Sequence, residues 1–452
     1  MAKIRTFEQA REYLHSFVDF ERRGFRRHFA DVVNLETIRA LLEALGNPQE
    51  RFPVLHLAGT KGKGSTAALC EAALREAGYR TGLYTSPHLL SMRERIRIGG
   101  VPVSESRMTR LVRELQPAAD AVAAREDLNP PSFFELYTAM AFAAFAEAPV
   151  DLAVVETGLG GRLDATNVVA PLATVITTLG RDHTDILGDS LAQIAREKAG
   201  IIKPGVPLIL GPQEAEAAAV IRARAHELGA PLREAPEVRS AGPPSVALTG
   251  RTPVVSQPVL LSTPAGELTV ALPLLGRHQR GNLALASAAV EALGERGFPV
   301  SGGQFAAGVA KLHWPGRFEV LQSRPWLVLD CAHNALSLRV LAEALRETLP
   351  YRRLVLVFGM SADKEIVEAA AEIAPVAHRV ILTQAMMHRA EWASALAHST
   401  WELWHGTPHV AWTVAEALAL ARELAEPGDC ICVTGSIFVV GEALEALGIP
   451  VR

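Results

Sequence analysis

The strongest chemical signal in the 452-residue chain is Leu57-Ala58-Gly59-Thr60-Lys61-Gly62-Lys63-Gly64-Ser65-Thr66. Glycines let backbone N–H groups face a phosphate chain, Lys63 supplies a point charge, and a Ser65 or Thr66 hydroxyl at a helix start can ligate Mg2+. The common phosphate loop has Gly where Leu57 stands and a hydroxyl directly after the lysine; here Gly64 intervenes and the hydroxyl comes one residue later. A glycine-rich turn without a ligand is the structural alternative, and the strand-loop-helix context weighs against it.

Other side chains offer matching chemistry. Glu156 stands at a predicted strand end before Gly158, Gly160 and Gly161, so its carboxylate lies beside backbone free to approach a ligand. A hard oxygen donor there suits Mg2+; capping of the next loop is the alternative. His183 follows another strand end, after Thr177-Thr178-Leu179-Gly180. A lone histidine is more often structural, and imidazole is an unusual Mg2+ partner. Lys198 closes a helix stopped by Gly200, where a cation complements the helix dipole; unlike arginine, it can also shed its proton and act as a nucleophile. Asp330 ends a strand, where an acidic residue can accept hydrogen bonds from a ribose hydroxyl.

The elements that position these residues alternate. From Pro53 to about Gly211 strand, loop and helix repeat, which requires a parallel sheet covered by helices. The strands expected are Val54–Ala58, Asp151–Glu156 and Thr174–Thr178, with helices at Ser65–Ala77 and Glu135–Ala146. Residues 235–275 turn Pro-rich and alternating, and Pro253–Ser262 and Leu268–Leu272 predict antiparallel strands at the sheet's edge. Helices around Asn282–Leu293 and Gln304–Lys311 lead to the turn Trp314-Pro315-Gly316. Beyond it strands Trp326–Asp330, Leu354–Phe358, Arg379–Thr383 and Cys430–Thr434 alternate with helices Leu336–Leu345, Lys364–Ile373 and Val414–Leu424. The expected fold class is α/β in two domains: a P-loop ATPase-like parallel sheet with an antiparallel edge portion over residues 1–313, and a smaller Rossmann-like parallel domain over 314–452.

Composition narrows the class. Lys and Arg total 45 against 49 Asp and Glu, a net charge of −4, which argues against holding nucleic acid or anionic lipid by an overall field. Only seven of the cations are lysines, Lys3, Lys61, Lys63, Lys198, Lys203, Lys311 and Lys364, so each raises the question of why it is not arginine. Cys70, Cys331, Cys430 and Cys432 are too scattered for a disulfide framework and read as buried thiols of a reducing cytoplasm. No stretch has the length of a membrane span.

Gly59-Thr-Lys-Gly-Lys-Gly-Ser65 resembles the nucleotide loop of the Mur ligase superfamily. Within it, seven further segments resemble folylpolyglutamate synthase and dihydrofolate synthase, in order over nearly the whole chain. They are Thr85-Ser-Pro-His-Leu89, Ser132-Phe-Phe-Glu135, Glu156-Thr-Gly-Leu-Gly-Gly-Arg-Leu-Asp-Ala-Thr-Asn167, Asp182-His-Thr-Asp-Ile-Leu-Gly188, Glu197-Lys-Ala-Gly-Ile-Ile-Lys203, Trp314-Pro-Gly-Arg317 and Asp330-Cys-Ala-His-Asn334. The resemblance implies ATP on Gly59 to Thr66, with Asn282 and Arg317 on the adenine side, and Mg2+ held by Ser65, Ser86, Glu156, His183 and a carbamylated Lys198. It places pteroate at Ser132, Phe133, Phe134, Glu135, Leu163, Asp164 and Ala165, where the Phe pair offers a stacking surface and Asp164 an acceptor for ring N–H donors. Helix core packing is the alternative for the Phe pair. His333, Gly435 and Ser436 would handle the incoming glutamate. Three stretches depart from the family pattern: Cys331 and Ala335 replace Gly and Pro, His388-Arg389-Ala390 replaces Pro-Arg-Ala, and Val32-Val33-Asn34 stands for the Asp-Leu-Gly of bifunctional enzymes.

The activity implied is that of an ATP-dependent acid–amino-acid ligase. The γ-phosphoryl group passes to a substrate carboxylate, and the amine of L-glutamate attacks the acyl phosphate. Tetrahydrofolate polyglutamylation is expected, with dihydrofolate synthesis from dihydropteroate. The partners are small molecules, with no nucleic acid or membrane, and the enzyme is expected to be a cytoplasmic monomer. A Mur-type ligase acting on a UDP-linked peptidoglycan precursor and a P-loop switch or ATPase are the competing readings.

Overall fold

The computed structural model describes residues 4–19, 34–247, 253–387 and 389–450; Lys3, Val32, Val33 and His388 lie outside them. The first sheet has eight strands: β1 (Val54–Ala58), β2 (Thr81–Tyr84), β3 (Ile96–Ile98), β4 (Val101–Pro102), β5 (Leu152–Glu156), β6 (Ala173–Ile176), β7 (Leu208–Leu210) and β8 (Leu232–Glu234). Their order is β4-β3-β2-β5-β1-β6-β7-β8. All neighbours are parallel except β2/β3 and β3/β4, which form the antiparallel edge. The central strands are apolar runs because both faces are covered. Val54, Ala153 and Val155 face a core shared with the helix Phe133–Glu147, while Leu55, Leu57 and Val154 face the helices Lys63–Glu76 and Arg277–Gly294.

The helix after β1 starts at Lys63, two residues before the expected Ser65, because Gly62 takes the left-handed backbone (φ 89°) that caps it. Its far end closes on Gly78 (φ 96°), with Tyr79 N–H donating back to the Leu74 carbonyl. Capping boxes set other helix starts, including Ser132 with Glu135 and Thr413 with Glu416.

The strands of 235–275 do not extend the first sheet as expected. β9 (Val238–Ser240), β10 (Ser245–Ala247), β11 (Val254–Thr263) and β12 (Gly266–Leu272) form their own antiparallel sheet. β11 pairs with β12 on one side and with β9 and β10 on the other, and none of the four pairs with a strand of the first sheet. Val259, Leu261, Val270 and Leu272 bury its inner face in the helical core.

The third sheet, β13 (Glu319–Ser323), β14 (Trp326–Leu329), β15 (Leu354–Phe358), β16 (Arg379–Leu382), β17 (His409–Val410) and β18 (Cys430–Thr434), has the order β13-β14-β18-β15-β16-β17. It is parallel apart from β13, so the C-terminal domain is mixed α/β. Here one helix starts later than expected, at Ile366, which leaves Lys364 in a turn whose N–H reaches the Ser361 carbonyl. All four cysteines are buried and free, and no described helix is long and apolar enough to cross a membrane.

The helix Gly302–Ala310 packs against Lys63–Glu76 where a Cβ on Gly308 would lie 2.4 Å from the Ala72 carbonyl oxygen. Gly308→Ala should therefore cost about 1–3 kcal/mol. Urea unfolding followed by circular dichroism checks this, and an unchanged midpoint would mean that the helices separate without cost.

Candidate active site

Four neighbouring strands deliver their carboxyl ends to one edge of the first sheet: β2, β5, β1 and β6. The chain leaves the central β1 for the helix Lys63–Glu76 and returns on either side of it, a switch point at which open α/β sheets bind ligands. The loop after β1 is held from both sides. Thr60 N–H and Lys61 N–H each donate to the Thr178 carbonyl at 3.1 Å. Gly59 and Gly62 have positive φ, and a Cβ would lie 1.8 Å from Thr177 Oγ1 or 2.2 Å from Asn282 Oδ1, so only glycine fits either place. Asn282 is thus packed behind the loop, with its amide donating to Gln279. The N–H groups of the helix's first turn remain for an anion.

Around this turn Glu156 and Lys198 are buried and Lys63 and His183 half-buried. Lys63 Nζ is 3.7 Å from Glu156 Oε1, and Ser86 N–H donates to Glu156 Oε2 at 3.2 Å. Burial raises the Glu156 carboxyl, and Lys63 opposes that. Lys198, 3% exposed, donates from Nζ to the Gly59 carbonyl at 2.9 Å. Its amine is lowered to about 7, by burial first and by Lys63 second. His183 has a left-handed backbone (φ 52°), uncommon outside glycine and tied by its N–H to Asp182 Oδ1. Its imidazole is held neutral, down to about 4, chiefly by burial.

The fit to Mg2+ follows from the donors present. Among the described residues no three His, Cys, Asp or Glu side chains converge as a metal cage. The site offers one carboxylate, Glu156, together with hydroxyls. Those of Thr66, Thr157 and Thr177 are fully buried without a hydrogen-bond partner, and Ser65 is 3% exposed. One or two carboxylates with hydroxyls and substrate phosphates is how Mg2+ is commonly held, so the residues fit an ion that arrives with a nucleotide.

A cavity of about 470 Å³ opens beside the loop. The expected Ser132, Phe134, Glu135, Leu163, Asp164 and Ala165 line it, as do His333 and Ser436 from the C-terminal domain. Phe133 does not. One helical step from Phe134, it turns into the core at 1% exposure, stacks on His15 at 5.5 Å and lies under the Arg95 guanidinium. Phe134 lies over Gly158, where a Cβ would come within 2.4 Å of its ring. Two expected carboxylates are engaged locally: Asp164 accepts from Leu159 N–H, Thr166 N–H and the Thr166 hydroxyl, and Glu135 accepts from Ser132. Asp330 likewise braces the turn after Arg317 by accepting from Phe318 N–H and Ala332 N–H at 2.8 Å each. Gly435 does not line the cavity; its φ of 102° lets the chain pass the Gly359 carbonyl, with which a Cβ would collide.

Lys61 turns from the expected phosphate position to Asp182 Oδ2 (3.1 Å) and His333 Nε2 (3.3 Å). Asp182, Lys364 and Asn334, which meet there, were not among the expected site residues; their signal was the acidic residue directly before His183 and a rare lysine beside a loop. Asp19 and Asn34 also line the cavity. Asp19 is brought there by pairing of Val18 with Ser132, a contact that local sequence does not encode.

A small second cavity, about 50 Å³, lies on the phosphate-loop side against Gly64, Glu156 and Trp314. Ser86, Pro87, Arg317 and Ile437 line both cavities.

Residues 57–290 match the Mur ligase middle domain and residues 316–437 the Mur ligase glutamate ligase domain. The chain is 33% identical to the dihydrofolate synthase/folylpolyglutamate synthase of Bacillus subtilis over 98% of its length and 99% of that protein's. Its structure matches that of Mycobacterium tuberculosis folylpolyglutamate synthase complexed with ADP at TM-score 0.88, 34% identity and full coverage of both chains. It matches E. coli FolC in complex with DHPP and ADP at TM-score 0.82 and 30% identity, covering 99% of each. The chain therefore belongs to the folylpolyglutamate/dihydrofolate synthase family of Mur ligases and is an ATP-dependent ligase.

Proposed function

We propose that this chain joins L-glutamate through its amine to the carboxylate of a folate, and to that of dihydropteroate, by way of an acyl phosphate. The observation that carries this reading is that Ser86 and Arg317 line both cavities. A nucleotide on the loop and a carboxylate in the large cavity would meet at those two residues, as phosphoryl transfer between them requires. In this reading Lys63 and the first-turn N–H groups of its helix neutralise the phosphates, with Asn282 supporting the loop and Arg317 beside the nucleotide. Mg2+, held through Ser65, Ser86, Glu156 and His183, supplies charge neutralisation when bound. Phe134 gives the ring-stacking wall, and His333 and Ser436 face the side from which glutamate enters. The C-terminal domain excludes water from the activated carboxylate.

Lys198 becomes a carbamate in this scheme. The low pKa supports it, since a neutral buried amine is the form that attacks CO2, bonding nitrogen to carbon as the nitrogen loses a proton. The relatives' names favour folates over a UDP-linked precursor. Buried free thiols support a cytoplasmic setting, and a site complete within one chain supports a monomer.

Lys63→Ala should cut folate- and glutamate-dependent phosphate release by about 10³-fold; a loss under tenfold removes the phosphate-loop role. Activation by bicarbonate should rise with pH through about 7, because the neutral Lys198 amine is the reactive form and exists above its pKa. Lys198→Ala should lose activity and regain part of it with added short-chain carboxylates, and wild-type turnover in that variant excludes the carbamate. Mass spectrometry of products from tetrahydrofolate and from dihydropteroate, each with ATP and glutamate, should show one added glutamyl group in both; no addition to either rejects the reading.

A further inference from the structure

Asp182 is placed where the two domains meet, and all four of its carboxylate contacts within 3.2 Å are used. Oδ2 accepts from Lys61 Nζ at 3.1 Å and Asn334 Nδ2 at 3.0 Å; Oδ1 accepts from His183 N–H at 3.1 Å and Lys364 Nζ at 3.2 Å. Two donors come from the phosphate-loop side and two from the C-terminal domain. A carboxylate with two oxygens has four good acceptor directions, so nothing is left to bind a substrate. His333 joins the group through Lys61: its Nδ1–H donates to the Cys331 carbonyl, which leaves Nε2 as the acceptor facing Lys61 Nζ at 3.3 Å. Lys364 and His333 both line the large cavity.

Resting on the ligase reading above, we propose that Asp182 is a positioning residue that assembles the C-terminal Lys364 and His333 against the phosphate loop. Lys364, the cation that meets the acyl phosphate, and the neutral His333 beside it are then in place only when the domains are together. Lys61 is thereby a strut of this assembly. Asp182 is 10% exposed, so breaking its network strands buried charge on both sides of the boundary.

The test uses Asp182→Asn and Asn334→Asp in the full-length enzyme. Asn334 also caps the helix Ala335–Thr348 through Oδ1, and Asp keeps that cap while setting a carboxylate against Asp182. Each single variant should lose about 10²-fold in kcat and raise the KM for glutamate, with Kd for ADP within about threefold of wild type. The double variant, which exchanges the pair, should recover at least tenfold of the loss. Singles within threefold of wild-type kcat overturn the proposal. So does a double no better than the singles, or an ADP affinity that falls in step with kcat. If Asp182→Asn does not fold, Asn334→Asp alone decides by the same split of kcat from ADP affinity. Failure of wild-type enzyme to bind ADP would instead reject the ligase reading.

Discussion

Three lysines, the half-buried Lys61 and Lys63 and the buried Lys198, are drawn largely out of water around a single loop, and compensating their charge organises the site. A buried cation is costly unless paired. Lys63 has Glu156 and Lys61 has Asp182, but among the described residues Lys198 has only the Gly59 carbonyl within hydrogen-bond distance. Its amine is lowered to about 7 accordingly. The same accounting holds Asp182 far below an ordinary carboxyl: burial alone would raise it, and Lys61, His183 and Lys364 outweigh that. An arrangement with cations to spare beside free helix N–H groups favours an incoming polyanion, although the whole chain carries a net charge of −4.

The backbone makes this crowding possible. Because β1 lies between β5 and β6, Glu156 pairs in register with Leu57 and Ile176 with Ala58, so Glu156 and the segment that leads to His183 arrive one strand spacing from the strand that feeds the phosphate loop. Gly59 and Gly62 then let Thr177 and Asn282 press directly against the loop. The C-terminal domain completes the enclosure. Leu89 and Leu90, three and four residues beyond Ser86, pack against its core, and Gly441 makes room for the Leu89 carbonyl, which a Cβ would approach to 2.4 Å. Ser86 is thereby tied to both halves of the molecule.

Much of this was legible from local pattern. Strands β1, β15 and β18 and the helix Val414–Leu424 match their expected ends, because buried parallel strands read as uninterrupted apolar runs and the helix carries its own capping box. The phosphate loop, Glu156 and Lys198 were visible as residue types at strand and helix ends, whereas Ser86 came only with the family resemblance of its segment. Other features were not. The separate antiparallel sheet has the same alternation as an edge strand would have, and only the choice of partners distinguishes them. The Phe pair was legible as a pair, but which ring faces the cavity depends on the phase of the helix against its neighbours.

What the sequence by itself determined is chemistry: a glycine-lysine loop after a strand, a carboxylate at the next strand's end, a lysine that can lose its proton, and the order of strands and helices. Those follow from residue type and short-range spacing. The tertiary structure decided who pairs with whom. Lys61 faces Asp182 instead of the loop, Asp330 braces a turn, Asp19 enters the cavity through Val18, and Lys364 reaches across 182 residues of sequence. Long flexible side chains carry no record of their partner in local sequence, since the energy of a buried charge is set by whatever the fold places within about 4 Å of it.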